Sequence, residues 1–294
     1  MRKLPDIYII GTQKSGTTTL YDWLAQHAQI YGHPLAKDYP YFSNTSVFNE
    51  GAIRFFSFFR NAPREKRILG GEANAMYAPL ALQRMHQLMP DAKLITLLRD
   101  PVERAYSGFA YAVERLMENR SFEQAIRDEM EGKIYVHGDA LQRDYLGHGR
   151  YAEQLEKVYS YFHRDQVKIV IFEEFKASPQ TVLADIFRFL DIDDAFVPDM
   201  TISNETKGGL RYKWLASLTY GVPKSKALRE IVRAVTPFSM RSMLRSELEK
   251  WNRIPSPKPV FTLEARRLLT EYYADKNAKL ELLLGKKIPQ WTTQ

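Results

Sequence analysis

Near the N-terminus the apolar run DIYII leads into GTQKSGTTTL and then into a helical pattern, and this junction restricts the fold more than any other feature of the chain. A glycine-containing turn between a strand and a helix aims backbone N–H groups at an anion, and the helix dipole adds partial positive charge. Gly11 and Gly16 allow close backbone approach, and Thr17, Thr18 and Thr19 supply hydroxyl donors. The spacing of the two glycines is that of the nucleotide-binding G-x-x-x-x-G-K-[ST] loop, but Thr17 stands where that loop has its lysine. The loop's lysine is Lys14, three residues earlier. In an ATPase the lysine works beside a magnesium ion held partly by an acid at the end of another strand. Here the corresponding strand ends Leu98-Arg99-Asp100-Pro101, a cation followed by an N-cap and a first-turn proline.

Further apolar runs extend this junction into a layered domain. Strands are expected at Asp6–Ile10, Lys93–Leu98 and Val167–Phe172. Helices are expected at Thr17–Ala28, Leu80–Met89, Pro101–Asn119, Tyr151–Phe162, Pro179–Leu190 and Leu263–Leu284. Continuous apolar strands separated by helices indicate an α/β fold with a mostly parallel sheet covered on both faces. No repeat or low-complexity linker interrupts the chain, so residues 1–294 are expected to form one domain. Its core spans 5–215 and a basic, mainly helical part covers 216–294; Lys207–Arg253 is markedly basic and less regular, expected as a loop and short helices over the ligand-binding edge of the sheet.

Composition narrows the chemistry. The chain has no cysteine, which excludes disulfides, thiolate metal sites and cysteine nucleophiles. Its six histidines show no H-E-x-x-H or similar spacing, so no metal site is expected. Lys and Arg number 42 against 35 Asp and Glu, a net +7 that favours anionic partners. Without a signal segment or an apolar run of membrane-spanning length, the protein is expected to be cytoplasmic.

GTQKSGTTTL resembles the 5′-phosphosulfate loop of sulfotransferases that use 3′-phosphoadenosine 5′-phosphosulfate (PAPS), especially the heparan-sulfate and bacterial carbohydrate branch. LITLLRDPVERAYSGFAY resembles the same family's second anion motif, and SNETKGGLRYKWL its late loop over the nucleotide. The resemblance implies a P-loop-containing three-layer fold, PAPS as co-substrate, 3′,5′-adenosine bisphosphate (PAP) as product and no metal requirement. It further implies that Lys14 stabilises the leaving phosphate and that Ser15, Gly16, Thr17, Thr18 and Thr19 bind the 5′-phosphate. Arg99 and Ser107 would hold the 3′-phosphate, with Lys207, Gly208, Gly209 and Arg211 closing over the nucleotide. Arginine suits that task because its planar fork meets phosphate oxygens in a bidentate way.

The acceptor must lose a proton, and three groups are candidates for the base. Lys37-Asp38-Tyr39-Pro40-Tyr41-Phe42 is similar to the branch's Lys-Glu-x-His-Phe-Phe segment, with aspartate for glutamate and proline for histidine. Asp38 is therefore the first candidate for the base, and Lys37 a candidate sulfate contact. Glu72 in GGEANAMY is the second and His33 the third. The expected acceptor is a carbohydrate or small-molecule hydroxyl, with an amine also open, and no nucleic-acid partner is expected. A P-loop kinase is the alternative enzyme. A nucleic-acid module built on the basic stretch and its aromatics (Tyr212, Trp214, Tyr220, Phe238) is the alternative binder.

Overall fold

The first strand, β1 (Ile7–Gly11), is buried along its whole length, as a run with no polar alternation requires when both faces are covered. Its side chains divide between two cores. Ile7 and Ile9 pack with α1 (Thr17–Leu24) and α9 (Pro179–Phe189) on one face. Tyr8 and Ile10 pack on the other with α3 (Ile53–Ser57), α4 (Ala81–Leu88) and α7 (Tyr151–Tyr159). This period of two across a central sheet produces the three layers. The protein is seen here as a computed structural model, which describes residues 3–115, 117–133, 143–201, 209–210, 253–254 and 259–291.

The sheet has five parallel strands in the order β2-β3-β1-β4-β5, with β2 at Ile30–Lys37, β3 at Arg67–Gly71, β4 at Lys93–Leu98 and β5 at Val167–Ile171. The three expected strands are β1, β4 and β5, while β2 and β3 are additions at one edge. β2 carries Gly32, His33 and Pro34, which read as a turn. As an edge strand it tolerates the proline, and its register with β3 shifts between Gly32 and Lys37. β3 ends in two glycines. Gly70 lies opposite Tyr8, and a Cβ there would come within 2.5 Å of the Tyr8 ring, so the bare backbone makes room for that ring.

Helix ends follow their caps. Asp100 accepts the N–H of Val102 at 2.9 Å ahead of α5 (Pro101–Glu114). Thr262 caps α10 (Leu263–Leu284), which stops at left-handed Gly285 with φ 66°. Phe172, expected as the last residue of a strand, instead opens the short α8 (Phe172–Ala177). A short α2 (Thr45–Asn49) follows β2. A third apolar cluster joins α5, α6 (Phe122–Met130) and α10 beside the sheet. β6 (Gly209–Leu210) and β7 (Arg253–Ile254) pair antiparallel apart from the main sheet. Gly209 lies in β6; Lys207, Gly208, Arg211 and the stretch 216–252 lie outside the described residues. Among the described residues, no helix is long and apolar enough to cross a membrane.

Candidate active site

The carboxyl ends of β1 and β4, the two most interior strands carrying the motifs, open onto one cleft of about 810 Å³. This is where open α/β sheets hold ligands. The β1–α1 loop runs through backbone conformations that ordinary residues avoid, with φ 70° at Lys14 and 82° at Gly16. A Cβ at Gly16 would lie 2.9 Å from the Phe172 ring. Thr12 anchors the loop to β4, its N–H and hydroxyl both donating to the Leu97 carbonyl, at 2.9 and 2.7 Å. α1 begins at Gly16 without a side-chain cap, which leaves its leading N–H groups to an anion.

Two cations converge on this loop. The Lys14 ammonium stands 4.4 Å from the centre of the Tyr111 ring. Arg99 donates from Nη1 to the Lys14 carbonyl at 3.1 Å, lies 5.1 Å from the Phe172 ring centre and approaches the Glu103 carboxylate at 3.8 Å. The arginine of one motif therefore braces the loop of the other. Ser107, two turns into α5, lines the same cleft, as do Thr17, Thr18 and Thr19. Ser15 is fully buried and its hydroxyl shares a 2.7 Å hydrogen bond with Thr12. Its N–H donates to the Thr12 carbonyl at 3.2 Å, so Ser15 ties the loop together and does not line the cleft.

The other wall comes from the ends of β2 and β3. Asp38, with φ 55°, donates its N–H to the Gly71 carbonyl at 2.8 Å and accepts the N–H of Ala73 at 3.2 Å. Its second oxygen meets the Lys37 ammonium at 2.5 Å, and that ammonium donates to the Thr18 hydroxyl at 2.7 Å. Asp38 is half exposed to the cleft while Lys37 is mostly covered. The chain Asp38–Lys37–Thr18 thus couples an accessible carboxylate to the phosphate loop.

Glu72 also reaches the cleft but is only 3% exposed. Its two oxygens accept the N–H groups of Phe42 and Ser43 at 3.2 and 3.1 Å. Burial outweighs these bonds and pushes its carboxyl up to about 7. From the other side the Arg84 guanidinium donates to the Phe42 carbonyl at 2.7 Å and the Thr45 hydroxyl at 2.9 Å. Glu72 and Arg84 together pin the segment that carries Pro40, Ser43 and Asn44 into the cleft. His33 does not line the cleft; its Nδ1 accepts the Leu35 N–H at 3.2 Å and its ring stacks on Phe58.

Several lining residues were not singled out from the sequence: Tyr111, Phe172, Trp23, Phe175 and Lys176. Tyr111 had a usable signal, since it follows Ser107 by four residues on one helix face. Phe172 and Phe175 both come from α8, and nothing local ties them to the loop. Trp23 and Phe175, with ring centres 5.3 Å apart, give the cleft one aromatic end.

A phosphate-cradling loop, a displaced lysine and a second cation at the next strand's end define a P-loop-like α/β transferase site. Residues 4–281 match the family model described as the sulfotransferase domain, and the chain belongs to that family. That membership does not favour the kinase alternative. Among curated proteins it is 28% identical over 310 residues to bifunctional heparan sulfate N-deacetylase/N-sulfotransferase 4 of Mus musculus, covering 99% of this chain and 31% of that protein. It is 27% identical over 306 residues to the corresponding enzyme 3 of Homo sapiens, with the same coverage. The chain thus spans about a third of the length of these relatives. A sulfotransferase structure from Alicyclobacillus acidocaldarius shares the fold, with a TM-score of 0.72, 24% identity and 99% of each chain covered.

Proposed function

We propose that this chain transfers the sulfuryl group of PAPS to a hydroxyl or amine of a carbohydrate or small-molecule acceptor, and that residues 1–294 act as one domain. The observation that carries this reading is the meeting of Lys14, Arg99 and Ser107 on one side of a single cleft with Asp38 on the other. Two cations behind separate strands suit a nucleotide phosphorylated at both 3′ and 5′ positions. In this reading the α1 N-terminus and the threonines hold the 5′-phosphate, while Arg99 and Ser107 hold the 3′-phosphate. The aromatic end at Trp23 and Phe175 suits the adenine.

Asp38 accepts the acceptor's proton as its oxygen or nitrogen attacks sulfur in line. The bond from sulfur to the bridging oxygen breaks, and its electron pair passes to the 5′-phosphate of PAP. Lys14 stabilises that growing negative charge, the kind of preorganised electrostatic contribution that dominates such reactions. Lys37, already shared between Asp38 and Thr18, holds the base beside the phosphate loop. Glu72 shapes the acceptor wall through the backbone of Phe42 and Ser43.

Incubation with sulfur-labelled PAPS and a panel of neutral, amino and acidic oligosaccharides and small alcohols tests the proposal. Label should move to at least one acceptor in the wild type and about a hundredfold more slowly in Asp38→Asn. Transfer that survives Asp38→Asn at the wild-type rate would remove Asp38 as the base. Label that never leaves the nucleotide with any acceptor class would count against the acceptor reading.

A further inference from the structure

The last described residues, Pro289–Trp291, form a short 3-10 turn that lies beyond the region matched by the family model. This turn reaches the second anion motif by two routes. The Trp291 indole N–H donates to one oxygen of Glu173 at 2.9 Å, and the other oxygen of Glu173 accepts the Asp100 N–H at 3.1 Å. The Trp291 ring also packs against that of Tyr151, with centres 5.8 Å apart, and the Tyr151 hydroxyl donates to the Arg99 carbonyl at 2.8 Å. The Arg99 carbonyl and the Asp100 N–H belong to the same peptide unit. Both of its polar atoms are therefore held, and both holders touch Trp291.

A peptide plane fixed at each end cannot rotate, and the direction in which the Arg99 side chain leaves the strand follows from that plane. Arg99 must present its guanidinium to an anion while also supporting the Lys14 carbonyl. A small rotation at its backbone would move the guanidinium by more than a hydrogen bond tolerates, since such bonds weaken steeply off their preferred geometry. Glu173 follows Phe172, the residue whose ring lies beside the Arg99 guanidinium, so the same segment sets both the arginine's backbone and its side-chain packing.

We propose that Trp291, acting through Glu173 and Tyr151, is a positioning residue for the 3′-phosphate site. The C-terminal turn then tunes selectivity for nucleotides phosphorylated at the 3′ position. This rests on the reading that Arg99 contacts the 3′-phosphate.

Calorimetric titration with PAP and with AMP, which lacks the 3′-phosphate, separates this role from a general structural one. Trp291→Phe keeps the ring against Tyr151 and removes only the N–H to Glu173. It should weaken PAP about threefold to tenfold, the worth of one net hydrogen bond, and leave AMP unchanged. Trp291→Ala should do the same to a greater degree; if that variant fails to fold, Trp291→Phe decides. An unchanged PAP-to-AMP ratio in Trp291→Phe, or an equal loss for both ligands, would overturn the proposal. Arg99→Ala serves as the control, because it should abolish the PAP advantage itself. If Arg99→Ala leaves that advantage intact, the phosphate assignment has failed rather than the brace.

Discussion

The proposed donor wall and the proposed acceptor wall of the cleft are built in opposite ways. The donor wall hangs from β1 and β4, which lie inside the sheet and are buried almost throughout. Its ligand groups sit within a few residues of each strand's end, so fold and function share the same short segments. The acceptor wall hangs from β2 and β3 at the sheet's edge, and its shape depends on contacts made across the chain. Glu72 and Arg84 define the path of the backbone from Phe42 to Thr45, and Asp38 is held by Gly71 and Ala73. The difference implies that donor chemistry is fixed by the scaffold, whereas acceptor choice can change by altering an edge without disturbing the core.

Lys14→Ala should break the donor wall most visibly. Turnover should fall about a thousandfold, as when a preorganised charge-stabilising donor is lost, while PAP binding changes little. Steady-state kinetics with parallel calorimetry checks the split, and an equal loss in both would place Lys14 in ground-state binding. Asp38→Asn tests the other wall. Turnover should drop about a hundredfold, the scale of general-base loss, with PAP affinity intact. Arg99→Ala should have the reverse profile, costing about 2 kcal/mol of PAP affinity, or ~30-fold in Kd. A comparable loss of PAP affinity in Asp38→Asn would erase the distinction between the walls.

The smallest expected effect concerns Glu72 and sharpens the comparison through pH. Its folded carboxyl is raised from 4.5 to about 7, chiefly by burial, so the fold favours the protonated form. The resulting stabilisation is complete below 4.5 and is lost as pH rises through about 7. Thermal unfolding followed across that window should show the wild type losing Tm relative to Glu72→Gln. Parallel curves for the two proteins would mean that Glu72 is ionised in the fold throughout. A sharp fall in turnover for Glu72→Gln with PAP binding and stability unchanged would instead make it a catalytic acid or base.

The sequence is legible where function and local structure coincide. The strand–loop–helix at Ile7–Leu24 and the strand–cap–helix at Lys93–Glu114 carry their own signals: continuous apolar runs, glycines at positive φ, Asp100 as cap and Pro101 in the first turn. α10 was readable from end to end because Thr262 starts it and Gly285 stops it. β2 and β3 were not, because Gly32, His33 and Pro34 mimic a turn and Gly70 is dictated by the Tyr8 ring of another strand. For the same reason the sequence could rank Asp38, Glu72 and His33 only by their nearness to motifs. The distinctions among them arise from tertiary contacts: cleft access for Asp38, two backbone N–H donors on Glu72, and a Phe58 stack outside the cleft for His33. Phe172 carries no local signal, because it reaches the loop and Arg99 from α8, remote in sequence.

The most direct test of the central claim, that Lys14 and Arg99 form a site for a 3′,5′-phosphorylated sulfuryl donor, is calorimetric binding of PAP against ADP and ATP, with and without magnesium. PAP should bind at micromolar or tighter affinity without dependence on magnesium, and ADP should bind weakly. Preference for ATP, strengthened by magnesium, would contradict that claim and return the loop to kinase-like chemistry.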